Sequence, residues 1–288
     1  MRLAPIRRAL LDWYAIEHRD FPWRGTADPY AVLVSEVMLQ QTQASRIAER
    51  FPRFMRRFPS VEALATASDA QVLAEWSGLG YNRRALALHR TARTVAADGW
   101  PRDVASLQAL PGIGPYTARA IASLAFGEGV GVVDTNVRRW LLRRFAVDDR
   151  PASLQALANE LAAPGEGDEA RAWTHATMEF GARICRSRSP LCGACPIRRG
   201  CPSRDRARRV AVPKQPAFGG SARAARGRLL RALSEAEGHR LGLTEAHRLL
   251  DGTLDRVVAR MEREGLLHRS GESLHLGSRP AGTPTIRP

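Results

Sequence analysis

The chain has 288 residues, 44% of them hydrophobic, which suffices for one or two buried cores, and its 44 Lys+Arg against 29 Asp+Glu leave a net charge of +15. A membrane-spanning helix needs about 20 apolar residues, and the longest apolar runs, such as residues 120–126, fall far short of that, so neither a span nor an anchor is expected. The charge points to a partner made of phosphates, with nucleic acid the leading candidate, although an arginine-favouring composition with Lys214 as its one lysine accounts for part of it.

The N-terminal two-thirds reads as consecutive short helices, with apolar residues at helical spacing in 32–58, 61–76, 83–97 and 117–126. Turn chemistry at 58–61, 78–80, 98–101 and 111–115 separates them, and such short connections imply a compact helical domain. Inside the first segment Glu36 sits in Val-Leu-Val-Ser-Glu-Val-Met-Leu. Desolvation there raises a carboxyl pKa and keeps it partly protonated near neutrality, as a general acid requires; a salt bridge to one of the many arginines is the plainer alternative. Next, Leu110-Pro-Gly-Ile-Gly-Pro-Tyr-Thr-Ala118 joins two helices through a glycine-bounded turn. Gly112 and Gly114 let backbone amides approach a phosphate, and Thr117 is placed to cap the helix or touch the same oxygen. The string reads as a helix–hairpin–helix rather than an ordinary helix turn. Asp134, in Gly-Val-Val-Asp-Thr-Asn-Val, stands at a helix N-terminus, where dipole and amides favour the anion; by itself a plain N-cap is the better reading of it. Splitting an N-glycosidic bond needs this pair, an acid for the departing base and an anion under a developing oxocarbenium ion.

All four cysteines of the chain, Cys185, Cys192, Cys195 and Cys201, fall in one run spaced Cys-x6-Cys-x2-Cys-x5-Cys. Four thiolates so close together suit one metal centre. An all-cysteine set is the usual shell of a [4Fe–4S] cluster, whereas zinc, which also accepts four thiolates, usually takes two tight pairs. Two disulfides would need an oxidising compartment, and no secretory signal is visible.

An arginine-rich tract (204–209) and a Pro/Gly linker (210–220) follow. The linker holds Lys214, which argues against lysine-based lyase chemistry, since a Schiff base needs an amine nucleophile. Residues 221–277 read as a second, smaller domain with helices at 223–237, 244–250 and 253–264 and a strand–turn–strand at 266–276 around Ser270-Gly271. Three helices and a hairpin suggest a winged-helix-like α+β module, which binds DNA or packs against a partner with equal ease. From residue 202 onward there are 17 Lys+Arg against 9 Asp+Glu, about half the net charge of the chain. Residues 278–288, with three prolines, are expected to be disordered.

Taken together, Phe21-Pro-Trp-Arg24, Ser35-Glu-Val-Met-Leu-Gln-Gln-Thr42, Gly78-Leu-Gly-Tyr81, Leu110-Pro-Gly-Ile-Gly114, Val133-Asp-x-Asn-Val137 and the four-cysteine loop resemble the adenine DNA glycosylases of the MutY type, in the helix–hairpin–helix glycosylase superfamily. The resemblance runs in order over residues 5–205. It implies a mainly α, two-lobed glycosylase domain (1–209) with a [4Fe–4S] loop (185–201), acting on double-stranded DNA; a monomer in the cytoplasm at the nucleoid is the default expectation. Glu36 then corresponds to the acid that protonates the flipped adenine and Asp134 to the carboxylate that steadies the sugar cation. Tyr116 and Asn136 support them, Arg24 and Leu39 line the adenine pocket, and Gln41 and Thr42 lie at the opposing 8-oxoguanine. Related lyases usually carry lysine at the position of Tyr116, so hydrolysis without strand scission is implied. The cluster is implied to be structural, holding Arg186, Arg188, Arg198 and Arg199 toward phosphate.

Three departures bear on specificity. Asn82 stands where the family commonly has a second tyrosine wedged into the stack, a task left to Tyr81 or Leu79. His175 stands where many members carry Gln or Glu against adenine; histidine can donate or accept, or be a core residue. The large C-terminal domain many members use for 8-oxoguanine is not expected here, the short basic winged-helix-like segment standing in its place. Two other readings remain open: a glycosylase acting on thymine or uracil opposite guanine, and a catalytically silent iron–sulfur DNA-binding protein.

Overall fold

A computed structural model describes residues 3–204, 221–250 and 253–279. The linker with Lys214, the arginine tract beyond Arg204 and all of the tail past residue 279 lie outside the described residues. In chain order the helices are α1 (Ala4–Glu17), α2 (Pro29–Leu39), α3 (Ala44–Arg57), α4 (Val61–Ala65), α5 (Asp69–Trp76), α6 (Arg83–Asp98), α7 (Val104–Ala109) and α8 (Pro115–Leu124). They continue as α9 (Thr135–Phe145), α10 (Pro151–Ala162), α11 (Gly167–Arg183), α12 (Ala222–Glu235), α13 (Leu243–Leu250) and α14 (Leu254–Arg263), with strands β1 (Arg240–Gly242), β2 (Leu267–Ser270) and β3 (Ser273–Leu276).

The chain divides into two compact units. One comprises the described residues up to Glu36 and from Trp100 to residue 204. Its core gathers Leu10, Trp140, Leu141, Leu161, Trp173 and Phe180, so that α1, α9, α10 and α11 share one apolar interior. Trp13 and Trp140 both meet Phe180 edge-on, at 6.0 and 5.8 Å, the arrangement favoured by ring quadrupoles. Close approach of α11 to the first turn of α9 depends on Gly181, because a Cβ there would lie 2.6 Å from the Asn136 carbonyl oxygen. The 110–118 string forms the turn between α7 and α8. Asp103 caps α7 by accepting from the Ser106 amide at 2.9 Å, Gly112 takes φ +76°, and Pro115 opens α8 where no intrahelical donor is lost.

The other unit joins Val37–Gly99 to the described residues after 220. The periodic segment 32–58 is broken into α2 and α3 where Gln41 turns to φ +56°, and 61–76 is broken into α4 and α5 by a capping box between Ser68 and Gln71. The segment from 221, expected as a distinct domain, packs through α12 and β3 onto α5, burying Leu229, Leu230 and Leu233 of α12. A Cβ on Gly277 would come within 3.0 Å of Asp69 and Ala70. Ser278 donates to the Asp69 carboxylate, which also takes His89 Nδ1 at 2.8 Å. Its three strands form an antiparallel sheet in the order β1-β3-β2, with Leu241 opposite Leu274 and Leu267 opposite Leu276. The three-residue β1 is too short to show in the periodicity.

Candidate active site and cysteine loop

Every residue of α2 from Tyr30 to Met38 is buried, and Glu36 lies among them, 4% exposed. One donor reaches its carboxyl, the Tyr116 hydroxyl from the second helix of the hairpin, while Oε2 has no hydrogen-bond partner. Burial pushes Glu36 up to about 7; the bond from Tyr116 opposes this and the nearby Asp134 charge adds to it. Tyr116 itself is driven well above its usual value by burial and by the charges of both carboxyls, so it remains a protonated donor. Its hydroxyl also touches Met178 Sδ of α11 at 3.9 Å.

Asp134 is the N-cap of α9. Its Oδ1 accepts from the Val137 amide at 2.6 Å and its Oδ2 from Asn136 Nδ2 at 2.7 Å. Burial raises this carboxyl as well and leaves it above its ordinary value, although both hydrogen bonds and the Arg139 charge oppose the rise. Of the coupled pair, Asp134 has donors on both oxygens and a helix N-terminus, whereas Glu36 has a single donor and a bare oxygen. The geometry therefore favours the proton on Glu36 and the negative charge on Asp134. Arg139 holds the arrangement from behind. It donates to Asn136 Oδ1 at 2.9 Å, to the Gly181 carbonyl at 2.6 Å and to the Cys185 carbonyl at 2.7 Å.

A second cluster surrounds Glu179, 1% exposed on α11. Arg19 Nε and Arg24 Nη2 each reach its carboxylate at 2.6 Å. Burial pushes Glu179 up, but those bonds and charges outweigh it and hold the group below its usual range. Arg24 also donates to the Arg19 carbonyl at 2.7 Å, packs over the Tyr14 and Phe21 rings, and leaves a buried Nε without a partner. His175 stacks on Tyr14 at 6.4 Å; burial and the Arg24 charge lower it to about 3, so its imidazole is neutral. It lies one helical turn before Met178, on the same face of α11.

In the other unit, Arg84 gathers the two loops that carry the remaining candidates. Its Nη1 reaches the carbonyls of Val37 at 2.6 Å, Met38 at 3.1 Å and Gln40 at 2.6 Å, and its Nη2 reaches Thr42 Oγ1 at 3.3 Å and the Gly80 carbonyl at 3.2 Å. Burial lowers its pKa to about 10, still charged at neutrality. Gln41 and Tyr81, one in each loop, both adopt positive φ, +56° and +48°, a strained conformation for side-chain-bearing residues that tends to mark functional loops. Tyr81 is 45% exposed and Leu79 is buried, so of the two only Tyr81 presents a ring to a partner. Asn82 precedes α6 without capping it, and Leu39 is half-buried one turn after Glu36. At the hairpin, Gly112 is exposed and Gly114 faces open space, but Thr117 is buried in the packing of α8. Its hydroxyl is thus withdrawn from the phosphate contact expected of it.

Cys185, Cys192, Cys195 and Cys201 line one cavity, together with Trp140, Arg143 and Ile197. Burial pushes the Cys195 thiol up to about 11, with the other three cysteines adding to the effect, so a thiolate at that position calls for a compensating positive charge. Among the described residues no three His, Cys, Asp or Glu side chains are grouped as a single metal ion needs. Arg143 donates to Cys185 Sγ at 3.6 Å and to the Arg186 and Ser187 carbonyls at 2.6 and 2.9 Å, and Arg144 reaches the Gly200 carbonyl at 3.1 Å. The loop is thereby fastened to α9, the helix whose N-cap is Asp134. Arg186, Arg188, Arg198 and Arg199 are exposed around it.

Residues 34–164 match the family described as HhH-GPD superfamily base excision DNA repair protein. The chain is 43% identical over 243 residues to the adenine DNA glycosylase of Mycobacterium tuberculosis, covering 79% of this chain and 78% of that one. To the human adenine DNA glycosylase it is 42% identical over 218 residues, covering 69% of this chain and 39% of that one. The chain belongs to the adenine DNA glycosylase family. Among solved structures it is similar to a thermostable thymine-DNA glycosylase, at TM-score 0.65 and 29% identity over 70% of this chain and 96% of that one. It also shares its fold with an endonuclease III bound to DNA, at TM-score 0.58 and 20% identity over 71% and 97%. As a family member the chain is a hydrolase of N-glycosidic bonds in base excision repair. Four residues that organise these separate clusters stand in no motif of the sequence: Tyr14, Glu179, Arg139 and Arg84. Glu179 alone has a local signal, an acid flanked by Met and Phe; the arginines are hidden among 43 of their kind.

Proposed function

We propose that the protein hydrolyses adenine mispaired with 8-oxoguanine or guanine in duplex DNA, leaving an abasic site, with Glu36 and Asp134 as its catalytic residues. The observation that carries this reading is the buried Glu36 with a bare Oε2 beside a hydrogen-bonded, N-capping Asp134. Glu36 gives its proton to N7 of the extruded adenine. The C1′–N9 bond breaks with its electron pair leaving on the base, and Asp134 faces the resulting sugar cation. Water then adds to C1′, and the proton it sheds restores Glu36. Tyr116 and Asn136 keep the two carboxyls in their separate protonation states.

Arg24, Leu39 and neutral His175 line the adenine pocket in this reading. The strained loops with Gln41, Thr42, Tyr81 and Asn82 meet the opposing base, Tyr81 serving as the aromatic wedge that Asn82 cannot supply. Gly112 and Gly114 offer backbone amides to phosphate. The cysteines suit a [4Fe–4S] cluster, whose role when bound is to hold the arginine-bearing loop in shape. Absence of a lysine at position 116 supports hydrolysis without lyase chemistry. The likeness to a thymine-DNA glycosylase supports a second reading, thymine or uracil opposite guanine. Single-turnover assays on duplexes with adenine opposite 8-oxoguanine, adenine opposite guanine, and uracil or thymine opposite guanine, scored for abasic sites after alkali, separate the two. Release from the first two alone is expected; release from the third alone, or from none, overturns the proposal.

A further inference from the structure

The segment from Ala222 runs helix, strand, helix, helix, strand, strand, with the sheet order β1-β3-β2. This is the succession of a winged helix, in which the third helix is the one a duplex meets and the β2–β3 hairpin is the wing. At 100° per residue, Arg256, Arg260 and Arg263 of α14 fall within an arc of about 60°, and all three are exposed. The buried residues Leu254, Val257, Val258 and Met261 occupy the opposite side.

The acids of this helix are engaged elsewhere. Asp255 pairs with Arg269 at 3.4 Å, and Glu262 accepts the Arg269 backbone amide at 2.9 Å, so both fasten the wing to α14. Arg260, itself exposed, makes an i,i+4 pair at 3.2 Å with Glu264, which Arg226 also holds, so Arg260 can turn to a phosphate without leaving that carboxylate unpaired. Arg256 and Arg263 make no ion pair among the described residues. The opposite chemistry, a protein partner, calls for aromatic or aliphatic anchors. The solvent face of α14 offers only Ala259, and among the described residues the exposed large hydrophobics, Ile16, Tyr81 and Leu191, all lie outside this segment.

We infer that α14 is a second DNA-contacting surface, which sets Arg256, Arg260 and Arg263 against the phosphates of double-helical DNA. The inference rests on the reading that DNA is the substrate. Docking of α12 and β3 on α5 makes this surface part of the same compact unit as the Gln41 and Tyr81 loops, so its contacts add to theirs without a flexible tether.

The test is equilibrium binding of the full chain to an undamaged duplex across a salt series, comparing wild type with R256A/R260A/R263A and R256K/R260K/R263K. Each phosphate neutralised contributes about 0.9 to the slope of log affinity against log salt, so the alanine variant is expected to lose about 2.7 of that slope and at least about tenfold in affinity near 0.1 M salt. The lysine variant, which keeps the charges, is expected to retain the wild-type slope. Single-turnover base release at saturating enzyme is expected to be unchanged in both. An alanine variant with the wild-type slope overturns the inference, and so does a lysine variant that loses as much as alanine. Should wild type bind duplex but release no adenine, the proposed reaction fails while the slope comparison still decides this surface.

Discussion

Glu36 and Glu179 are both buried glutamates on helices of one compact unit, and they are held in opposite ways. Glu179 is clamped by two arginines at 2.6 Å and lies below its usual pKa; Glu36 has one neutral donor and is pushed up to about 7. The difference teaches that burial alone does not make an acid catalyst. Withholding cations is what lets burial keep a carboxyl protonated near neutrality. In a chain with 43 arginines, pairing none of the described guanidiniums with Glu36 while gathering Arg19, Arg24 and Arg183 around Glu179 is a property of the packing.

The comparison breaks most visibly at Glu36. Glu36→Gln is expected to lower single-turnover adenine release by roughly 10²- to 10⁴-fold, the span of general-acid contributions, while duplex affinity stays near wild type because phosphate contacts carry it. Wild-type release should likewise fall by about tenfold per pH unit above the value near which Glu36 titrates, since only its protonated form donates. A flat profile between pH 7 and 9, with chemistry rate-limiting, would remove Glu36 from this role.

Glu179→Gln is expected to act on the fold first. It strands the mostly buried Arg24 and should cost about 3 kcal/mol, read as a lowered unfolding midpoint in denaturant. Glu36→Gln should move the other way. Its folded-state value of about 7 lies above the ordinary 4.5, so the stability Glu36 contributes is complete below about 4.5 and lost as pH rises through 7. Glutamine does not titrate, and the variant should gain up to about 3 kcal/mol over wild type at pH 8, with no difference near pH 4. Equal stability at both pH values would mean that Glu36 is not desolvated. The smallest effect is expected from Asn136→Ala, which removes the 2.7 Å donor to Asp134 and makes that carboxyl more like Glu36. About 1 kcal/mol of hydrogen bonding is lost, and release should slow by roughly tenfold with the pH profile broadened on its acid side.

Some of these features are legible in the sequence and others are not, and particular residues show why. The periodicity of 83–97 and 117–126 marks α6 and α8 to within two residues, and the 253–264 pattern marks α14. The breaks inside 32–58 and 61–76 are not legible, because apolar spacing continues across them and only the reversed φ of Gln41 and the Ser68 capping box end the helices. Glu36 and Asp134 stand out as acids among apolar neighbours and the four cysteines as one cluster, whereas Tyr116 enters through the family resemblance. Thr117 misleads, since a hydroxyl beside a glycine turn looks exposed until α8 is packed.

The linear order of residues alone determined which chemical groups were available: two carboxyls in apolar strings, a phosphate-suited turn, four grouped thiols, one lysine and a surplus of positive charge. Tertiary structure decided their states. Packing around α2 desolvates Glu36 and keeps its proton on, while Asp134 is held by its own helix N-terminus, and Arg139 and Arg84 act through carbonyls that no pattern of side chains reveals. The physical reason is that composition and spacing are local, whereas a pKa or a loop conformation is a sum over whatever the fold brings within a few ångströms.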